Sequence, residues 1–241
     1  MPVIWGFDLS EMHWSAFSGR NMFDRRWYLR RERFIVYQFA MLICLAAECA
    51  ATYSLAKYEG LQDHVEATVV PASSLLPGAT HPVLHNDDII AAEVIIIVFC
   101  VFVATLFGAD FFFLLFFPQR IYPRWYNTTK KLLAVGITLG VLAGALMGSV
   151  VVTRNSAFIT GVDERTRINL ITLYYRPPLK YSLYSTNIAY VVLTWIGFLC
   201  TAASTLLMFQ AGAHDAEHGA DPKPDRHDAS ALANKDRTII A

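Results

Sequence analysis

The chain has 241 residues, 55% of them hydrophobic, with 20 basic and 20 acidic side chains and a formal net charge of zero. Its apolar residues are gathered into four long blocks and do not alternate with polar ones, which is the composition of a membrane-spanning chain and excludes an ordinary soluble domain. The sequence therefore predicts an all-α membrane protein, a four-helix transmembrane bundle with both termini cytoplasmic.

Residues 1–33 form a basic and aromatic segment. Arg20, Arg25, Arg26, Arg30, Arg31 and Arg33 stand beside Trp5, Trp14, Phe17, Phe23, Trp27 and Tyr28. Such a segment suits an anionic inner leaflet, so Arg25, Arg26, Trp27, Arg30, Arg31 and Arg33 are read as lipid-headgroup residues. The plainer reading is a topogenic cluster flanking the first span. With Asp8, Glu11 and Asp24 and no apolar core, the segment does not read as a cleaved signal peptide, and the first span serves as a signal anchor.

The transmembrane domain is expected over 34–210, with spans at about 34–56, 89–117, 132–153 and 187–210, each near the ~20 residues that cross ~30 Å of hydrocarbon. The first span carries Glu48 in the setting Leu45-Ala-Ala-Glu-Cys-Ala-Ala-Thr52. An ionisable group there is costly against lipid and should face the bundle or water. The following loop has Lys57 against Glu59, Asp63, Glu66, Asp87 and Asp88. The second span holds Glu93 near its start and Asp110 near its end. If the first two helices are antiparallel neighbours, Glu48 and Glu93 lie at similar depth and face each other. Two close carboxylates would then take up a proton, a cation or a basic side chain, with Arg154 the candidate. Glu48, Glu93 and Asp110 are thus the membrane-embedded acids of an ion or proton site. For Asp110, hydrogen bonds from Thr138 or Ser204, or contact with the basic inner loop, are the structural alternatives.

That inner loop holds Arg120, Arg124, Lys130 and Lys131 without an acid, and with the basic N-terminal segment it places both termini inside by the positive-inside rule. In the third span Gly136, Gly140, Gly144 and Gly148 recur every fourth residue. They form one stripe of a helix where another backbone approaches closely, the small-xxx-small pattern of helix packing in lipid. Its partner is expected to be the small face of the fourth span, with Gly197 and the run from Cys200 to Thr205, or a second copy of the glycine helix. In the two outer loops, Val65 to Val70 and Thr166 to Tyr175 have the β-branched and aromatic content of strands, giving a small two-stranded β cap or irregular loops. Residues 211–241 read as a disordered cytoplasmic tail whose His214, His218 and His227 match no metal site.

Cys44, Cys49, Cys100 and Cys200 all fall inside spans and read as small packing residues. No phosphate loop, dinucleotide fingerprint, nucleophile elbow or zinc motif occurs, and no span contains histidine. No catalytic residue, metal or cofactor is expected, and the chain is not read as an enzyme. No nucleic-acid partner is expected either, since the arginines adjoin a membrane helix.

Four spans, both ends inside, two outer loops and a short basic inner turn resemble the tetraspan organisers of MARVEL and claudin type across about residues 30–210. The Phe-rich helices and polar tail are similar to fungal members of those groups. The claudin-type Trp-Gly-Leu-Trp and paired-Cys signature is missing from the first outer loop. The resemblance implies lateral organisation of membrane domains, trafficking or support of a larger partner. The expected role is a non-enzymatic organiser, scaffold or subunit in the plasma membrane or an endomembrane, meeting lipids and copies of itself or other membrane subunits. The alternative is an ion- or proton-linked channel, transporter or accessory subunit.

Overall fold

The computed structural model describes residues 3–4, 7–8, 12–23, 27–117, 123–173 and 177–219. Near the N-terminus Val3–Ile4 (β1) and Phe7–Asp8 (β2) pair antiparallel, and Gly19–Met22 (α1) is a single helical turn. Four long helices carry the rest: α2 (Arg30–Ala67), α3 (Asp87–Phe116), α4 (Arg124–Arg154) and α6 (Ser185–His218). All four are long and apolar enough to cross a membrane, the build of a multi-pass integral membrane protein. A short helix, α5 (Glu164–Leu173), lies between the last two.

Around the bundle the order is α2, α3, α4, α6, with α2 packed on α3 and α6, and α4 on the same two neighbours. Consecutive long helices run antiparallel, so the start of α2 and the end of α6 lie at one end of the bundle, where the Tyr28 ring stacks on His214 at 3.9 Å. The other end carries the two long connections as a cap.

The helices overrun their predicted spans. With 38 residues, α2 is ~57 Å long against ~30 Å of hydrocarbon, so it projects well beyond any membrane core. It runs through Val65 to Ala67, the start of one predicted strand. The other predicted strand is helical over 166–173, within α5, and its residues 174–175 lie outside the described residues. There Asp163 Oδ1 accepts the Thr166 amide at 3.2 Å and Glu164 pairs with Arg167, start signals that outweigh β propensity. A two-stranded sheet does exist in the cap, built from Val83–His85 (β3) and Phe158–Thr160 (β4), with Leu84 opposite Ile159. At the far end α6 continues to His218 and closes on Gly219 at φ 79°, so residues 211–218 of the expected disordered tail are helical. The tail from 220 to 241 lies outside the described residues.

Two buried apolar clusters follow from this layout. The larger runs from Phe34 and Leu115 up to Cys44, Ile96 and Tyr190, and the smaller joins Tyr58, Leu61 and Ile89 to Ile159, Val162 and Tyr181 of the cap.

Candidate functional site

The glycine stripe is occupied inside the chain. A Cβ on Gly140 would fall within the Phe99 ring of α3; one on Gly144 would meet Ile96 and Ile95 at 3.1 and 3.6 Å. One on Gly148 would meet Ile96 of α3 at 3.1 Å and Val191 and Tyr190 of α6 at 3.5 and 3.6 Å. Gly136 has nothing within 4 Å. The chief partner of the stripe is therefore α3, because Phe99 needs a notch that only a residue without a side chain leaves. The small face of α6 serves α2 instead, with Gly197 against Cys44 Sγ. Contact between α4 and α6 is partly polar: Thr138 and Thr205 hydroxyls bond at 2.9 Å, and Trp195 Nε1 donates to Ser149 Oγ at 2.9 Å.

At the end where α2 begins and α6 ends, Asp110 is 4% exposed and fully engaged. Its Oδ2 accepts Arg33 at 2.8 Å and the Tyr37 hydroxyl at 2.9 Å, while Lys130 reaches Oδ1 at 2.7 Å. Thr138 and Ser204 bond elsewhere, the latter to the Cys200 carbonyl. Arg33 is thereby turned into the bundle, as is Arg30, which donates to the Leu115 carbonyl at 3.4 Å. Both were expected at lipid headgroups; their side chains are buried within the bundle. Arg30, Arg33, Phe34 and Tyr37 follow the i, i+3, i+4, i+7 spacing of one helical face, and that face is buried. Arg31 points outward, Trp27 is half-buried with Arg30 over its ring at 5.9 Å, and Arg25 and Arg26 lie outside the described residues.

At the capped end a chain of hydrogen bonds joins three of the long helices to the loops. Ser54 Oγ donates to Asn187 Oδ1 at 2.6 Å, and Asn187 Nδ2 donates to Tyr58 Oη and the Tyr181 carbonyl at 3.2 and 3.1 Å. Tyr181 Oη donates to Asp88 Oδ1 at 2.7 Å, and Asn155 donates to Asp88 Oδ2 at 2.7 Å. Burial first, and then the accepting Asp88 carboxylate, pushes the pKa of the Tyr181 hydroxyl well up.

Glu93 sits beside this chain, with 0% exposure and both carboxyl oxygens buried without a hydrogen-bond partner among the described residues. Its neighbours are Ser54 and Tyr190, not Glu48. Glu48 lies six residues before Ser54, about 9 Å along α2, and bears on Cys44 and Cys100. The expected pairing of Glu48 with Glu93 is therefore not formed, because the two carboxyls occupy different levels. Arg154 is exposed at the end of α4. Glu48 itself is half-buried on the flank of the outward face of α2, between exposed Leu45 and Thr52, and no described residue gives it a hydrogen bond or ion pair.

Several of these groups escaped the sequence reading. Tyr37, Ser54 and Tyr58 continue the buried face Ala40, Cys44, Ala47, Ala51 of α2, and that periodicity is the signal that would have found them. Asn187 and Tyr190 carry no comparable local mark. Comparison of the chain with protein-family models, with curated proteins and with solved structures finds no match. The likeness to tetraspan organisers rests on the four-span topology alone.

Proposed function

We propose that the chain is a non-enzymatic tetraspan subunit or lateral organiser that docks with another membrane helix through the outward face of α2. The carrying observation is Glu48, a carboxyl on the flank of that face with no hydrogen-bond or ion-pair partner among the described residues. A carboxyl held against lipid costs about 3 kcal/mol or more, which a donor on a neighbouring helix offsets. The surroundings suit close approach: Cys49, Thr52 and Ala56 are small and exposed on the side of α2 next to it. The glycine stripe, engaged with Phe99, Ile96 and Tyr190, is not the docking surface in this reading. Cytoplasmic termini follow from the charge of the inner loop and N-terminal segment.

The test is native mass spectrometry of the full chain released gently from its own membrane, beside a Glu48→Leu variant. Assembly in the parent and a roughly tenfold loss of it in the variant is the expected result, a change of about 1.4 kcal/mol. A parent that is monomeric and alone, or a variant that assembles equally well, sinks the reading.

A second reading, an ion- or proton-linked carrier or channel subunit, draws on buried Glu93. Cation or proton flux in reconstituted vesicles that disappears in Glu93→Gln would favour it.

A further inference from the structure

The polar inventory around Glu93 is one-sided. Both of its carboxyl oxygens are enclosed with no donor at hydrogen-bond geometry among the described residues, although Ser54 lies close enough to act on the carboxyl; the hydroxyl of Tyr190, 0% exposed on α6 and within electrostatic reach of it, is likewise without a partner there. The other polar side chains nearby are committed elsewhere. Ser54 gives its proton to Asn187, Asn187 gives its two to Tyr58 and Tyr181, and Tyr58 gives its own to the Pro178 carbonyl at 3.3 Å. Tyr181 donates to Asp88. What remains are lone pairs, on two carboxyl oxygens of α3, on Ser54 Oγ of α2 and on Tyr190 Oη of α6, with the Tyr190 hydroxyl proton the one donor left uncommitted.

Oxygens alone, with no nitrogen or sulfur among them, make a donor set for a hard cation. Charge narrows the class. No described basic side chain pairs with Glu93, and a single carboxylate is neutralised by a single positive charge. A divalent ion would leave net charge in a low-dielectric interior. Glu59, exposed on α2 one to two turns beyond Ser54, adds a negative field that draws cations to this end of the bundle.

We infer that Glu93, Tyr190 and Ser54 form a binding site for a small monovalent metal cation between α2, α3 and α6, just below the cap. The bound ion joins three helices at the level where their own hydrogen bonds leave the carboxyl unserved. It therefore stabilises the folded bundle by mass action. The site is internal to one chain and independent of docking through Glu48.

The experiment uses the full chain in lipid nanodiscs, with radiolabelled sodium as the probe and with thermal unfolding in sodium, lithium, potassium or choline chloride at fixed pH and ionic strength. The expected result is saturable binding of one sodium ion per chain and an unfolding midpoint that rises with sodium and not with choline. Glu93→Gln abolishes binding, and Tyr190→Phe weakens it by roughly tenfold while the protein stays folded. Should Glu93→Gln fail to fold, Tyr190→Phe and Ser54→Ala decide, and unchanged affinity in both overturns the site. Absence of saturable binding also overturns it, as does a stability that follows pH and ignores sodium, which assigns the carboxyl to a proton. A monomeric protein that binds sodium normally would sink the docking reading and leave this one standing.

Discussion

Asp110 is the residue whose surroundings decide most about the bundle. One carboxylate answers two cations and a phenol, from α2 and α4, and it does so at 4% exposure. Such a cluster is not a net source of stability compared with apolar packing, yet breaking it strands charges that have already lost their water. Asp110→Asn keeps the shape and removes the countercharge, so Arg33 and Lys130 face each other uncompensated. The expected cost is about 3–5 kcal/mol, read as the loss of unfolding free energy in mixed detergent micelles. A variant as stable as the parent would mean that water or headgroups already serve these cations. From the sequence, Asp110 and the basic inner loop were both visible and contact between them was one alternative for this acid. That Arg33 also joins was hidden, because six arginines interleaved with aromatic residues give no sign of which two turn inward until the face of α2 is traced through Tyr37.

At the scale of the element, the four-residue glycine spacing marks α4 as a helix that leaves room for a neighbour and is silent about which neighbour fills it. Partner choice depends on a bulky side chain elsewhere, Phe99, and nothing local to α4 names it. The four glycines are accordingly unequal. Gly140→Ala would put a methyl group inside the Phe99 ring and force that side chain or α3 to move, a cost of about 1–3 kcal/mol. Gly136→Ala meets nothing within 4 Å and should be neutral, or gain up to ~1 kcal/mol from better helix propensity. Both values come from the same unfolding titration, and equal losses at the two positions would contradict internal packing of the stripe. The cap shows the opposite failure. β-branched runs at 65–70 and 166–175 looked like strands, whereas the true pair at 83–85 and 158–160 is too short to announce itself by alternation.

For the whole molecule, helix number and the antiparallel order were legible because twenty-residue apolar blocks have few other uses. What the blocks could not convey is that the bundle is fastened by polar clusters at two levels, with largely apolar packing and the pairs of Thr138 with Thr205 and of Trp195 with Ser149 between. The lower fastening is Asp110 with Arg33, Tyr37 and Lys130; the upper is Asn187 with Ser54, Tyr58 and Tyr181. Arg33 and Ser54 stand 21 residues apart on α2, about 32 Å, and the two groups share no side chain. Sites that far apart act independently unless the elements between them move as one. Asn187→Ala removes the acceptor of Ser54 and the donor to Tyr58, at a cost of about 1–3 kcal/mol. Combined with Asp110→Asn, the loss should equal the sum of the two single losses within about 0.5 kcal/mol. A combined loss well below that sum would show that one change already frees the other end. The long helices would then transmit strain between the two levels, and docking at Glu48, which lies between them, would bear on both.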